Sequence, residues 1–369
     1  MNNKELITEI KEITQSANVN FLLGSGVSTP FLPILGNIEL DINSAIEKGK
    51  INDQANGYKE YYEKIMLPNK CIILNDFNFH KNFKWDTVSN AWIERTLEEA
   101  EDAFKKTKQA YTIFFQSITK IILERKTTIL NKQVNVFTTN IDIFMESILE
   151  ELQIDYNDGF SGRLNPHFSL SNFKKSIFQR SLHFDHKSEI PIFNIFKIHG
   201  SLTWKYGNEN NIIFSPKLEH FNKTLISKKG TNFINNYKKN ILVVNPENAK
   251  FSETVLNKYY YELLRSYSSE LERENSVLFV IGFSMGDQHI KEITQRAAKS
   301  NPTLKIFIFV HSKDKKDEMI NNMNIQKFTN IKVVAPEYIE VKDKYKYDLE
   351  TISQTIFNKV NFKKNDDEN

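Results

Sequence analysis

Residues 134–152, VNVFTTNIDIFMESILEEL, decide how this chain folds. The run VNVF reads as a buried strand, and from Ile143 onward Phe144, Met145, Ile148, Leu149 and Leu152 recur at three- and four-residue spacing and predict a helix. Between them stand Thr138, Thr139, Asn140 and Asp142, a row of hydrogen-bonding side chains where a buried strand ordinarily closes with turn residues. A strand that passes at once into a helix is half of a βαβ unit, which belongs to a parallel sheet.

The same shape recurs outward in both directions. NVNFLLGSG (18–26) is a strand running into glycines, with a helix expected to open around Val27 to Thr29. IFNIFKIHG (192–200) is a strand ending at His199, and LTWKYG with NIIFSP predicts a short hairpin after it. NILVVNPEN is read as a further strand, ETVLNKYYYELLRSYSSEL as a helix, SVLFVIGFSMGD as strand into turn, QHIKEITQRAA as a helix, TLKIFIFVHS as a strand and NIKVVAPEYIE as an edge strand. Strands apolar on both faces and separated by helices call for a mostly parallel sheet covered on both sides. The fold class is therefore α/β, a Rossmann-like doubly wound sheet. A helical insertion at about 85–131, with amphipathic helices read as scaffold, and a small lobe at about 153–190, read as a lid, complete a domain over 1–335. Residues 336–369 are read as a C-terminal helix, DLETISQTIFNKV, and a disordered polar tail.

Composition excludes more than it suggests. Hydrophobic content of 40% and charged content of 26% over 369 residues are those of a globular protein, and a net charge of +3 with interspersed signs gives no case for nucleic-acid binding. The single cysteine, Cys71, rules out an intramolecular disulfide and a four-cysteine zinc cluster. The N-terminal stretch has helical spacing without the apolar core of an export signal, and no window reaches the roughly 18 apolar residues of a membrane span. The expectation is a cytoplasmic protein with no membrane contact.

Ligands of an open α/β sheet bind outside the carboxyl ends of its strands, so four polar or glycine-bearing strand ends fall on one rim. In LLGSGVST, Gly24 and Gly26 can let backbone amides approach a phosphate in front of a helix N-terminus, or can serve a plain tight turn. Asn140 can donate or accept a hydrogen bond toward a sugar hydroxyl or a water, and Asp142 can receive a carboxamide N–H. Equally, Thr139 or Asn140 can cap the next helix, with Asp142 complementing its dipole. His199, followed by a glycine, is a candidate general base or a structural histidine. Gly282, Ser284 and Asp287 in VIGFSMGDQHI offer close approach, a hydroxyl and a helix cap or ribose ligand. His183, Asp185 and His186 in LHFDHK have the HxxH spacing of a metal pair, yet no third ligand is signalled and no metal is expected.

Taken in order, GSGVS, TTNID, IHGSLTW and IGFSMGD resemble the sirtuin family, and more closely its bacterial sirtuin-like branch found in anti-phage defence, over roughly residues 18–312. The resemblance implies that Gly24, Ser25, Gly26, Val27 and Ser28 contact the pyrophosphate and nicotinamide ribose of NAD, that Asn140 orients the ribose and a nucleophilic water, and that Ile141 and Asp142 hold the nicotinamide carboxamide. It makes His199 the catalytic histidine, puts Gly282, Phe283, Ser284 and Asp287 at the adenosine end, and sets His311 near an adenosine-ribose position. The chain departs from the family in two places. One cysteine cannot build the deacylases' zinc module, and PFLPILGNIEL (30–40) replaces their Gly-Ile-Pro-x-Phe-Arg run.

The reading that follows is an NAD glycohydrolase that releases nicotinamide and ADP-ribose and acts as an anti-phage effector. NAD is consumed as substrate, and no further cofactor and no zinc are expected. A homo-oligomer and a separate defence partner, for which the branch offers a hexameric DNA-translocase-type ATPase, are implied by the resemblance. Two alternatives stand beside it, a non-catalytic module sensing NAD or ADP-ribose and an NAD-dependent protein deacylase.

Overall fold

A computed structural model describes residues 3–127, 129–183, 185–207, 211–218, 225, 228–247, 258–336 and 346–362. The apolar runs form seven strands of one sheet: β1 (Asn18–Leu23), β2 (Gln133–Thr138), β3 (Tyr156–Asn157), β4 (Ile192–Lys197), β5 (Ser276–Ile281), β6 (Lys305–Phe309) and β7 (Ile331–Val334). Their order is β7-β6-β5-β1-β2-β4-β3, and every pairing is parallel. The chain builds one half of the sheet from β1 to β4, then crosses to β5 on the other side of β1. The topological switch point of this Rossmann-like α/β fold therefore lies between β1 and β5.

Alternation along each strand sorts side chains to two faces. Val19, Phe21 and Leu23 of β1, with Val277, Phe279 and Ile281 of β5, pack toward α1 (Asn3–Ser16) and α5 (Leu97–Glu124), whereas Leu22, Leu278 and Val280 face the opposite core. The first face also takes α6 (Phe144–Glu151) and α11 (Leu349–Thr355); the second takes α8 (Lys258–Glu272), α9 (Gln288–Ser300) and α10 (Lys315–Asn322). Helix α5 is one uninterrupted rod of 28 residues, opened by a capping box in which Thr96 and Glu99 bond each other's backbone amides. Beyond its far end, buried Arg125 donates to Thr14 O at 2.7 Å and Ala17 O at 2.6 Å, tying α5 to the end of α1.

The strands are not wholly apolar, as the sequence pattern suggested. Asn20, Asn135 and Asn194 are buried at one level of three adjacent strands, and half-buried Asn157 continues the row. Their amides form a ladder: Asn135 Nδ2 donates to Asn20 Oδ1 at 2.9 Å, Asn194 Nδ2 to Asn135 Oδ1 at 2.9 Å, and Asn157 Nδ2 to Asn194 Oδ1 at 3.1 Å.

Two further expectations are corrected and another is refined. NILVVNPEN is no sheet strand: Val243 makes only an isolated antiparallel bridge to Gly200, because the chain there runs over the strand ends rather than beside a strand. The predicted lid at 153–190 divides into the edge strand β3, a hairpin (Ile177–Arg180 with Lys187–Ile190), and two short strands that join the predicted Trp204–Tyr206/Ile212–Phe214 hairpin in a four-stranded antiparallel sheet. Its Phe168 packs on Trp204 with ring centroids 5.1 Å apart, which anchors the lobe to the second core. The elements that pack over Ile141 and Ile143 are instead α2 (Ile38–Glu47), α3 (Ile51–Tyr61) and α7 (Gly230–Asn240), a helical cluster with its own core of Ile38, Tyr58, Tyr62 and Tyr237. Of the tail NFKKNDDEN (361–369), read as disordered, Phe362 is instead buried in the first core, and residues 363–369 lie outside the described residues.

Candidate active site

The loops after β1, β2, β4 and β5 are bonded to one another in a closed ring around the carboxyl end of the sheet. The first joint is backbone against backbone at the switch point. Gly24 N donates to Ile281 O at 3.1 Å and Gly26 N to Gly282 O at 3.0 Å. A Cβ on Gly24 would stand 2.5 Å from Gly282 O, and Gly282 itself has φ +64°, so these glycines exist to let two loops touch. This revises the expectation for the glycine motif. Two of its amides are committed to the neighbouring loop, and the helix expected behind it is one 3₁₀ turn, Ser25–Ser28, stopped by Pro30 and too short to carry a useful dipole.

The second joint is Asn140. Its Nδ2 donates to Gly24 O at 3.0 Å and Ser28 Oγ at 3.1 Å, which consumes both amide hydrogens and leaves Oδ1 as the only group it can offer a ligand. Its backbone N–H is held by Thr138 Oγ1 at 2.9 Å, and Thr138 Oγ1 in turn donates to Leu23 O at 2.8 Å. Buried Asp142 accepts from Ser28 Oγ at 2.6 Å and from Phe144 N at 3.1 Å. The expected capping of α6 by Thr139 or Asn140 is thus replaced: Asp142 satisfies the first helical amide, and Ile143 at the cap position contributes no side-chain bond.

The third joint links the β2 and β4 loops, through Ile198 N to Thr138 O at 2.9 Å and Leu202 N to Ile141 O at 3.0 Å. Lys197, at the end of β4 and 2% exposed, pairs with Glu146 at 2.7 Å and also bonds the backbone carbonyl of Asp142. Burial pushes the Glu146 carboxyl up, against the opposing pull of Lys197.

The fourth joint closes the ring. His199 Nε2 lies 3.2 Å from Asp287 Oδ2, and both side chains are mostly buried. Asp287 also caps α9, accepting from His289 N at 3.1 Å and Ile290 N at 3.3 Å. Burial pushes its carboxyl up, but the bond to His199 and that residue's charge outweigh it and hold the pKa at about 2. Asp287 is therefore ionised under any physiological condition, and it fixes the orientation of the imidazole.

Ser25 and Ser284 are exposed on the rim, Phe283 is half-buried, and Val27 packs in the first core. His311 lies exposed two residues beyond β6, its carbonyl accepting from Tyr347 N at 2.9 Å; burial of part of the ring lowers its pKa. Two participants and one pairing escaped the sequence reading. Asp287 is expected at a ribose or a helix cap, and it does cap α9, but its bond to His199 is not signalled; Lys197 reads as one more strand residue; Tyr111, whose hydroxyl lies 2.9 Å from Ser28 Oγ, sits inside a helix read as scaffold. Only the HG and GD signatures could have hinted at the first, since the pairing joins residues 88 positions apart in chain order. The zinc module of the sirtuin resemblance does not fit, because it needs two cysteine pairs and Cys71 is buried and alone. Among the described residues no group of three or more His, Cys, Asp or Glu is gathered as a metal site, and no helix is long and apolar enough to cross a membrane.

The model of the SIR2-like domain family matches residues 134–331, more than half of the chain. The chain belongs to the SIR2-like domain family. Its matched span holds Asn140, His199 and Asp287, while the glycine loop at Gly24 lies before it. A solved structure reported as "Structural Basis for the Mechanism and Regulation of Sir2 Enzymes" is similar to this SIR2-like chain at 12% identity and a TM-score of 0.41, covering 96% of this chain and 97% of that one. A likeness that loose carries no statement about chemistry. No curated protein sequence matches.

Proposed function

We propose that this SIR2-like protein hydrolyses NAD to nicotinamide and ADP-ribose. The observation that carries the reading is the His199–Asp287 pair, linked through the ring of loops to an asparagine whose carbonyl is the only group left to meet a ligand. Breaking the bond between the ribose C1′ and the pyridinium nitrogen releases neutral nicotinamide and develops positive charge on the ribose. Asn140 Oδ1 suits an acceptor role toward a water or a ribose hydroxyl. A carboxylate has about four acceptor sites, and the two bonds made by Asp142 leave capacity for the carboxamide N–H. Water adds to C1′, and its proton passes to His199, whose imidazolium Asp287 stabilises. The balance is NAD⁺ and water to nicotinamide, ADP-ribose and a proton.

The rim residues Ser25, Gly26, Gly282, Phe283, Ser284 and His311 are assigned to the phosphate and adenosine portions of NAD, with NAD the only small molecule required. In the cell the activity serves to deplete NAD on phage infection. A homo-oligomer working with a separate sensor, for which a hexameric DNA-translocase-type ATPase is the candidate, keeps it in check beforehand. The test is free nicotinamide measured after purified protein is incubated with NAD, alone and with the product of the neighbouring gene. His199→Ala and Asn140→Ala are each expected to lose about 10² to 10⁴ in rate with melting temperature retained. Turnover that survives in either variant overturns the mechanism.

A further inference from the structure

Helix α5 does more than support the sheet. Tyr111, fully buried at its middle, has its ring stacked on Phe144 at 5.7 Å with an interplanar angle of 12°, and its hydroxyl lies 2.9 Å from Ser28 Oγ. Ser28 Oγ has three neighbours and one proton. Asp142, an acceptor at 2.6 Å, takes that proton; Asn140 Nδ2, a donor at 3.1 Å, fills one lone pair. The remaining lone pair can only accept, so the Tyr111 O–H must be the donor. Burial, reinforced by the charge of Asp142, holds the Tyr111 phenol well above its ordinary pKa, so that proton is always present.

The geometry points to Tyr111 as a positioning residue of the NAD site: its hydroxyl saturates Ser28 and thereby commits the Ser28 proton to Asp142, fixing the direction of every hydrogen bond from helix α5 to Asn140. This rests on the NAD reading above. Without that donor, Ser28 has an empty lone pair and can rotate, and Asp142 and Asn140 lose a fixed partner together.

The test is a double-mutant cycle on the full chain with Tyr111→Phe and Ser28→Ala, reading nicotinamide release and NAD affinity by calorimetry. Phenylalanine keeps the stacked ring and removes one oxygen. The expected result is that Y111F lowers kcat/KM about tenfold, the equivalent of one neutral hydrogen bond. In the S28A background the same change costs clearly less, because Tyr111 acts chiefly through Ser28 and otherwise reaches only Asn140 of the same network. A packing role would instead give the same loss in both backgrounds, and that result overturns the proposal, as does a Y111F enzyme within about twofold of wild type. If the wild-type protein neither binds NAD nor releases nicotinamide, the NAD reading itself fails and the proposal falls with it, a result seen in the wild type rather than in the variant.

Discussion

Replacing Asp287 by asparagine separates its two duties. Asparagine caps helices about as well as aspartate, so the amides of His289 and Ile290 keep an acceptor and α9 keeps its start. What disappears is the charge beside His199. The native carboxyl is held at about 2 against an ordinary 3.8, which at 1.36 kcal/mol per unit is about 2.5 kcal/mol of preference for the ionised form. Some of that preference belongs to the capped amides, and the rest is owed to His199. Without the carboxylate the imidazole loses the partner that orients it and that balances the charge it takes up with a proton during the reaction, an expected loss of about 10- to 100-fold in nicotinamide release. The same shift bounds the stability cost at about 2.5 kcal/mol, less what the capped amides retain, so the melting temperature should fall by no more than about 5–10 °C. In a His199→Ala background the Asp287→Asn change should have no further effect, since the carboxylate works only through the imidazole. Assay is by chromatography of free nicotinamide from purified variants. Wild-type turnover in Asp287→Asn, or losses that multiply in the double variant, would refute the pairing as a catalytic device.

Gly24→Ala puts a methyl 2.5 Å from Gly282 O and 2.7 Å from Phe283 Cα, both backbone atoms, so the two loops must part; destabilisation of about 1–3 kcal/mol by denaturant melts, with loss of nicotinamide release, is expected. Lys197→Met leaves Glu146 buried without its cation and should lower stability by about 3–5 kcal/mol, whereas Lys197→Met with Glu146→Leu recovers most of it; calorimetric melts decide between recovery and further loss. Acid should also weaken the fold through Asp287. Its folded pKa of about 2 lies below the ordinary 3.8, so the unfolded chain binds the proton first, and the contribution is complete above about pH 4 and vanishes as pH falls toward 2. Asp287→Asn should flatten that limb of the stability curve, and an unchanged limb would show that other carboxylates dominate it.

The parallel sheet was legible because period-two alternation is erased when both faces are buried, and β1, β2, β4, β5 and β6 each carry such a run. The helical cluster of α2, α3 and α7 went unread because residues 38–61 and 230–240 are polar enough to pass for connections; their burial depends on meeting each other across some 180 residues. NILVVNPEN shows the opposite error, since an apolar run can be buried by lying across strand ends as well as by joining them. Individual site residues were visible as polar groups at strand ends. What no spacing could display was their partners: Asp287 for His199, Tyr111 for Ser28 and Lys197 for the Asp142 carbonyl all come from distant elements.

The asparagine ladder has a bearing on how the loops find one another. Shifting a buried strand by two residues against its neighbour preserves which side chains face each core, so hydrophobicity cannot detect the error. An asparagine displaced from the row would leave amide groups unpaired in an apolar interior, at about 1–3 kcal/mol each. Asn20, Asn135 and Asn194 thus act as a proofreading mark for alignment. At about 3.3 Å of rise per residue, a slip of two would displace Asn140 by some 6.6 Å relative to Gly24, whose carbonyl it now meets at 3.0 Å. Amides buried well below the rim thereby decide whether the reacting groups at the rim face each other at all.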